Sequence, residues 1–135
     1  KFLKNKYYKK KHPKSLDIKD FDLQKINKLN FKDGCATLSM LTVETIGLAV
    51  KSFNNFAIPI IISGGGRKNK FIIKNIKRII KNPVKLIDEY GFNGDFIESQ
   101  AFAYLAIRSY LKKFITFPNT TGVIKPCLGG FTFKH

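Results

Sequence analysis

A strand pattern followed by three glycines and a helical pattern most constrains the fold of this chain. Residues 57–63 form a β-branched run typical of a strand buried on both faces. From Asn69 the apolar residues recur with a helical period until Pro83, and residues 84–87 again have a strand pattern. These elements, within about 30 residues, predict a βαβ unit with parallel strands and a right-handed crossover. The predicted fold class is therefore α/β, with a small, mostly parallel sheet flanked by helices.

Two longer helical patterns flank this unit. Asp33 opens a segment in which apolar residues recur at spacings of three and four, which predicts a helix of about 20 residues ending before Pro59. Residues 95 to about 112 have a second such pattern, with alanines that allow close helix packing. Residues 1–14 are rich in lysine and contain no acid, so we predict a basic lead-in there and one cooperative unit over residues 15–135.

The formal net charge of +16 raises the question of a nucleic-acid partner. Lysine supplies most of this charge, whereas the planar arginine fork is favoured for the recognition of bases and phosphates. The chain has only three arginines, Arg67, Arg78 and Arg108. A lysine-rich solvated surface is therefore the favoured interpretation, and nucleic acid an unlikely partner. A small basic nucleic-acid-binding module remains the alternative.

Cysteine use and hydropathy bear on the compartment of the protein. Cys35 and Cys127 are far apart in the sequence, without His or Cys at metal-ligand spacing, so we predict two buried small hydrophobes rather than a disulfide, and no metal site. The longest uncharged stretch, residues 52–66, contains proline and glycines and is shorter than the roughly 20 apolar residues of a membrane span. These features predict a soluble cytoplasmic protein without a membrane partner. Because the chain begins with Lys1 and its only methionine is Met40, we expect it to be part of a longer protein.

The strongest local signal for chemistry is the glycine loop, residues 64–69, between the predicted strand and helix. Glycines let a ligand approach the backbone closely, and the free N–H groups of a helix start favour anionic oxygens. The loop is neither a P-loop, which ends in Gly-Lys-Ser/Thr, nor a G-x-G-x-x-G fingerprint. From the residues alone, a nucleotide site and a tight strand-to-helix turn are equally supported.

A second signal lies at the start of the last long helix. Asp95 and Glu98 have the spacing of a capping box, in which each side chain satisfies a backbone N–H of the first turn. Glu98 facing a cleft could instead orient a hydroxyl group or a water molecule. Residue types alone favour the cap, and both interpretations stay open. Asp88 and Glu89, adjacent at a strand end, are predicted to point in different directions.

Five segments in chain order contain further recognisable motifs. They are residues 12–17 with Asp20-Phe21, residues 33–38 with Thr42, Gly64-Gly65-Gly66-Arg67-Lys68-Asn69, residues 94–106, and Pro118 with Thr121-Gly122 and Leu128-Gly129-Gly130. Together they resemble the C-terminal half of anhydro-N-acetylmuramic acid kinases, which belong to the actin, hexokinase and Hsp70-like ATPase superfamily. The departures, His12, Ser99 and Val123, are peripheral or conservative in volume.

The resemblance implies an actin-like ATPase (ribonuclease H-like) C-terminal lobe over residues 15–135, with the N-terminal lobe absent. The full enzyme would be a carbohydrate kinase that uses ATP and Mg2+. It would phosphorylate 1,6-anhydro-N-acetylmuramic acid at O6 while water opens the ring, giving N-acetylmuramic acid 6-phosphate in cell-wall recycling. The catalytic aspartate base would lie in the missing lobe, so this chain would hold no catalytic residue and be inactive alone. The resemblance leaves a homodimer open.

The same resemblance assigns roles to five residues of this chain. Gly64, Gly65 and Gly66 would approach the nucleotide phosphates or ribose. Asn69 would fix the loop or contact the nucleotide. Glu98 would position the anhydrosugar or its attacking water. With the resemblance included, this role and the role of helix cap are about equally supported.

Overall fold

The computed structural model describes residues 2–4, 6–10, 24, 26–131 and 133. Residues 12–17, which hold the first of the five motifs, lie outside the described residues, as does much of the predicted basic lead-in. The helices and strands are α1 (Phe31–Ser52), β1 (Ile60–Ile62), α2 (Lys70–Ile79), β2 (Val84–Leu86), α3 (Ile97–Tyr110) and α4 (Pro118–Thr121). Short 3-10 helical segments occur at Phe2–Lys4, Lys6–Lys9, Gly65–Lys68 and Ile87–Tyr90.

The central unit is a parallel pair of strands connected through α2. β1 pairs with β2 in the register Ile60 to Val84 and Ile62 to Leu86. The predicted strand–loop–helix–strand order and the parallel pairing are thus confirmed. The described part of the chain is α/β, with a two-stranded parallel sheet and flanking helices.

The prediction that β1 is buried on both faces was wrong. Side chains alternate between the two faces of a strand, and Ile60 and Ile62 pack against the core. Ile61 lies on the opposite face and is 48% exposed. The reason is that α1 and α2, which supply most of the core, pack on the face that contains Ile60 and Ile62.

α1 begins earlier than the sequence pattern predicts. Asn30 is its N-cap, and the Asn30 side-chain oxygen accepts a hydrogen bond of 3.0 Å from the backbone N–H of Asp33. The Asn30 amide also donates to a carboxylate oxygen of Asp33 at 2.8 Å. Asp33 therefore lies in the first turn, where its negative charge is favourable to the helix dipole.

The core lies between α1, α2 and the sheet. Val43 of α1 is fully buried, and Ile76 and Ile80 at the end of α2 are 2% and 7% exposed. α1 approaches α2 closely at Gly47, since a Cβ atom there would lie 2.6 Å from Cδ1 of Ile79. Partly buried side chains complete this core, namely Met40, Ile46, Val50, Ile60, Ile62, Ile72, Ile79 and Val84.

By length and composition alone, α1 could cross a membrane. The mean hydropathy of its most apolar 18-residue stretch is 1.2. The sequence pattern predicts this helix, but Glu44 interrupts its uncharged residues, so the length of an uncharged run does not identify it as a candidate span. A core helix of a soluble protein passes the same test, and α1 contributes Val43 and Gly47 to the interior. One such helix is therefore weak evidence for a membrane protein.

The predicted burial of the two cysteines was wrong. Cys35 is exposed and Cys127 is half-buried, and both are free thiols. Cys35 lies in the first turns of α1, away from the core cluster around Val43 and Ile76. The Cys127 thiol donates to the carbonyl oxygen of Lys125 at 3.0 Å.

α3 presents an exposed apolar face. None of its residues is buried, and Phe102, Ile107 and Tyr110 are 65%, 59% and 67% exposed. Its C-terminal end is anchored instead, because the Ser109 hydroxyl donates to the carbonyl oxygen of Gly129. Large contiguous apolar surfaces in soluble proteins usually mark contacts with further protein or with ligands.

Candidate functional site

Three segments meet at the carboxyl ends of the two parallel strands. The glycine loop follows β1, the Ile87–Tyr90 segment follows β2, and the turn before α3 lies beside both. The backbone N–H of Gly64 donates to the carbonyl oxygen of Gly94 at 3.0 Å, which joins the loop to this turn. In open α/β sheets, ligands bind outside the carboxyl ends of the strands, so this edge is the candidate site.

Arg67 links all three segments through its guanidinium group. Its Nε and Nη2 donate to the two carboxylate oxygens of Asp88 at 2.8 and 3.2 Å. Its Nη1 donates to Oδ1 of Asp95 at 2.7 Å and to the carbonyl oxygen of Gly64 at 3.0 Å. The Arg67 side chain is only 8% exposed. A single buried side chain therefore connects the glycine loop, the end of β2 and the start of α3.

Gly94 makes room for this guanidinium. A Cβ atom at position 94 would lie 2.3 Å from Nε of Arg67 and 2.7 Å from both Cδ and Cζ. Such distances are impossible for real atoms, so a larger residue at position 94 would displace Arg67. The backbone N–H of Gly94 also donates to Oδ1 of Asp88 at 3.4 Å.

The expectation that Asp88 and Glu89 point in different directions is confirmed. Asp88 binds Arg67, whereas Glu89 accepts hydrogen bonds from Lys85 at 3.0 Å and from the backbone N–H of Leu86 at 2.8 Å. Only Asp88 therefore belongs to the candidate site.

The charges of this network stabilise one another. Hydrogen bonds from Arg67 and then from Lys68 hold the pKa of Asp95 well below its usual range. The hydrogen bond from Arg67 also lowers the pKa of Asp88, and the two carboxylates raise the pKa of Arg67. Lys68 lies 2.8 Å from Oδ2 of Asp95, but its side chain is 64% exposed. The charge of Arg67 is thus matched by two carboxylates, and Lys68 extends toward solvent.

These lowered pKa values predict an acid-sensitive fold. The folded-state pKa of Asp88 and of Asp95 lies below the unfolded value of about 3.9. The stabilisation is therefore fully present above that pH and is lost as pH falls through the folded-state pKa values. We expect the urea midpoint of the chain to fall more steeply below about pH 4 than that of a D88N/D95N double variant. Parallel declines would contradict the prediction.

All three glycines of the loop have space for a side chain, so only the backbone conformation separates Gly64 from the other two. Gly64 has φ of 72° and ψ of −175°, a conformation that only glycine adopts readily, so the turn itself requires it. A Cβ atom at Gly65 or Gly66 would meet nothing within 4 Å, and φ is not positive at either residue. The turn thus explains Gly64, whereas no contact in the described part of the chain explains Gly65 or Gly66.

Asn69 fixes the junction between the loop and α2. It is the N-cap of α2, and its side-chain oxygen accepts hydrogen bonds from the backbone N–H groups of Phe71 and Ile72, both at 3.1 Å. Its own N–H donates to the carbonyl oxygen of Gly66 at 3.1 Å. Asn69 therefore connects the glycine loop to the first turn of α2.

The prediction of a capping box formed by Asp95 and Glu98 was wrong. α3 begins at Ile97, its N-cap is Phe96, and no side chain caps it. The physical reason is that Arg67 and Lys68 hold the Asp95 carboxylate away from the helix amides. Glu98 is exposed in the first turn of α3 and makes no hydrogen bond or ion pair with any residue that the structure describes.

The comparisons with known proteins agree on one family. The family model described as anhydro-N-acetylmuramic acid kinase matches residues 1–135. The chain belongs to this kinase family. A curated anhydro-N-acetylmuramic acid kinase from Pelagibacter ubique is 50% identical to the chain over 127 residues. Those from Zymomonas mobilis and Phenylobacterium zucineum are 39% and 40% identical over 128 residues.

The chain spans about a third of the length of the curated relatives it matches. The matched stretch covers 90% of this chain and 34% of the Pelagibacter ubique relative, and 95% and 35% for the other two. These matches give no support to the alternative of a small nucleic-acid-binding module.

Two motifs that suggested the anhydro-N-acetylmuramic acid kinase family meet at the candidate site. The glycine loop and residues 94–98 are joined by Arg67 and by the hydrogen bond between Gly64 and Gly94. Arg67 itself was not predicted as a site residue. The signal that could have found it is an arginine, rare in this lysine-rich chain, in the loop after the first predicted strand, together with Asp88 directly after the second.

Proposed function

We propose that this chain forms the C-terminal lobe of an ATP-dependent anhydro-N-acetylmuramic acid kinase with an actin-like ATPase fold. The enzyme would transfer the terminal phosphoryl group of ATP to O6 of 1,6-anhydro-N-acetylmuramic acid while water opens the anhydro ring. The product would be N-acetylmuramic acid 6-phosphate, formed in the cytoplasm during cell-wall recycling. Family membership supports this proposal. The observation that carries it is the glycine loop, whose Gly65 and Gly66 backbone is open at the carboxyl edge of the parallel strands.

Nucleotide binding would use the backbone of the glycine loop. Without side chains at Gly65 and Gly66, phosphate or ribose oxygens can approach the main chain. Asn69 would hold the loop against α2, because its side chain already caps that helix. Phosphoryl transfer depends mainly on positioning and on stabilising charge, and a rigid loop serves both needs.

Mg2+ does not fit the carboxylates of this site. It is usually held by substrate phosphates and one or two carboxylates, but Asp88 and Asp95 are bound to Arg67. Among the residues that the structure describes, no group of three His, Cys, Asp or Glu side chains is placed to hold a metal ion. We assign no metal ligand to this chain.

Glu98 would act on the sugar side of the cleft. Its carboxylate is exposed in the first turn of α3 and is not used as a cap. The preceding turn is fixed to the glycine loop through Asp95 and Arg67. Glu98 would therefore have a defined position relative to the nucleotide, suited to orienting the anhydrosugar or its attacking water.

The remaining catalytic parts would come from the rest of the protein. The family resemblance places the aspartate base and the first phosphate-binding segment in the other lobe, so this chain alone would be inactive. The exposed apolar face of α3, with Phe102, Ile107 and Tyr110, supports a larger protein, since such surfaces usually pack against further structure.

A hybrid enzyme tests the proposal. In it, this chain replaces the matching third of the Pelagibacter ubique relative. We expect the hybrid enzyme, but not this chain alone, to convert ATP and 1,6-anhydro-N-acetylmuramic acid into ADP and a sugar phosphate that has gained water. Mass spectrometry of the sugar product measures this, with the unaltered relative as the control. A folded hybrid enzyme that produces no sugar phosphate would overturn the proposal.

A further inference from the structure

We propose that Arg67 is a positioning residue that sets the distance between the glycine loop and the start of α3, and that it does not bind phosphate. The inference rests on the proposed function, because it assigns the loop to the nucleotide and Glu98 to the sugar. An arginine beside a phosphate loop would ordinarily be read as a phosphate ligand, since its planar fork matches phosphate oxygens.

Four of the five N–H donors of Arg67 are already committed. Nε, Nη1 and Nη2 donate four hydrogen bonds, to both carboxylate oxygens of Asp88, to Asp95 and to the carbonyl oxygen of Gly64. The side chain is 8% exposed, and its positive charge faces two carboxylates. A phosphate would have to displace a carboxylate from this pocket and face the other one. Arg67 therefore has no free pair of N–H groups with which to bind a phosphate.

The hydrogen bonds of Arg67 connect three segments of the chain and hold them at fixed positions relative to one another. Gly64 begins the glycine loop, Asp88 follows β2, and Asp95 precedes α3 by two residues. Gly94 lies against the guanidinium so closely that no Cβ atom fits between them. The hydrogen bond from Gly64 to Gly94 runs beside this contact.

The start of α3 depends on this network because it lacks a conventional cap. Phe96, its N-cap, offers no side-chain hydrogen bond to the first turn. Asp95, the residue that could have capped the helix, is instead held by Arg67 and Lys68. Loss of the Arg67 contacts would therefore release the turn before α3, and with it the position of Glu98 relative to the loop.

Two variants of the hybrid enzyme separate positioning from phosphate binding. Arg67→Lys keeps the charge but loses the fork, and D95N keeps Arg67 but removes its charged partner in the turn before α3. If Arg67 positions both elements, each variant should lower kcat/KM for ATP and for the anhydrosugar by about 10- to 100-fold, since small misplacements are costly in phosphoryl transfer. If Arg67 binds phosphate, D95N should leave the KM for ATP unchanged or lower it, because a donor is freed.

A matched control and a second measurement complete the test. Lys85→Gln breaks the exposed Lys85–Glu89 pair, which lies outside the network, and should leave both kcat/KM values unchanged. Hydrogen–deuterium exchange does not depend on activity, and it should show faster exchange at residues 64–69 and 97–100 in both variants. Unchanged exchange there, or a lower melting temperature with unchanged kinetics, would overturn the positioning role. An inactive parent hybrid enzyme with the expected exchange pattern would instead count against the proposed function.

Discussion

Replacing Gly65 by valine should weaken ATP binding to the hybrid enzyme by about 10- to 100-fold and leave its free energy of unfolding nearly unchanged. The fold tolerates valine because φ is not positive at Gly65 and an added Cβ atom meets nothing within 4 Å. The branched side chain would, however, occupy the space through which phosphate oxygens reach the loop amides. Loss of one hydrogen bond to a charged group costs about 1.5–3 kcal/mol, which corresponds to this range of affinity.

Gly64→Val provides the contrast within the same loop. Gly64 has φ of 72°, so valine there strains the backbone and should lower stability together with ATP affinity. Isothermal titration calorimetry measures the affinity of each variant, and urea unfolding measures its stability. An unchanged ATP affinity in the Gly65→Val enzyme would show that the glycine loop does not bind the nucleotide at Gly65 and only forms the turn.

The central βαβ unit could be predicted because its signals are local. The hydrophobic period changes from strand to helix at Asn69, and Pro83 stops the second element. The structure places the N-cap of α2 at Asn69 and pairs the two strands in parallel. Patterns of this kind can be read from the sequence because helices and strands each place side chains at a fixed period, and because proline ends a helix.

Burial and capping could not be predicted because they depend on residues distant in sequence. Ile61 has the residue type of a buried strand position, but no described element covers its face of the sheet. Asp95 has the spacing of a cap, but Arg67, 28 residues earlier, competes for its carboxylate. A spacing rule counts only the residues of one helix turn, so it cannot anticipate such a competitor.

Glu98→Gln should reduce the turnover number of the hybrid enzyme by about 100-fold, the loss that a misplaced reactant causes. Glutamine has nearly the same shape as glutamate but carries no negative charge, so it would orient a hydroxyl group or a water molecule less strongly. Stability should change little, because Glu98 is exposed and is not part of a cap. Its loss affects only the favourable interaction of one acidic side chain with the helix N-terminus, about 0.3–1 kcal/mol.

Glu89→Gln is the matched control, because it has the opposite expected profile. Glu89 accepts hydrogen bonds from Lys85 and from the backbone N–H of Leu86, and it points away from Arg67. Its replacement should lower the urea midpoint and leave turnover unchanged. If Glu98→Gln behaves like Glu89→Gln, with reduced stability and full turnover, Glu98 is a structural residue of α3 and the sugar-binding role is wrong. Reduced turnover with an unchanged urea midpoint supports the role in the cleft, since a structural residue cannot produce that combination.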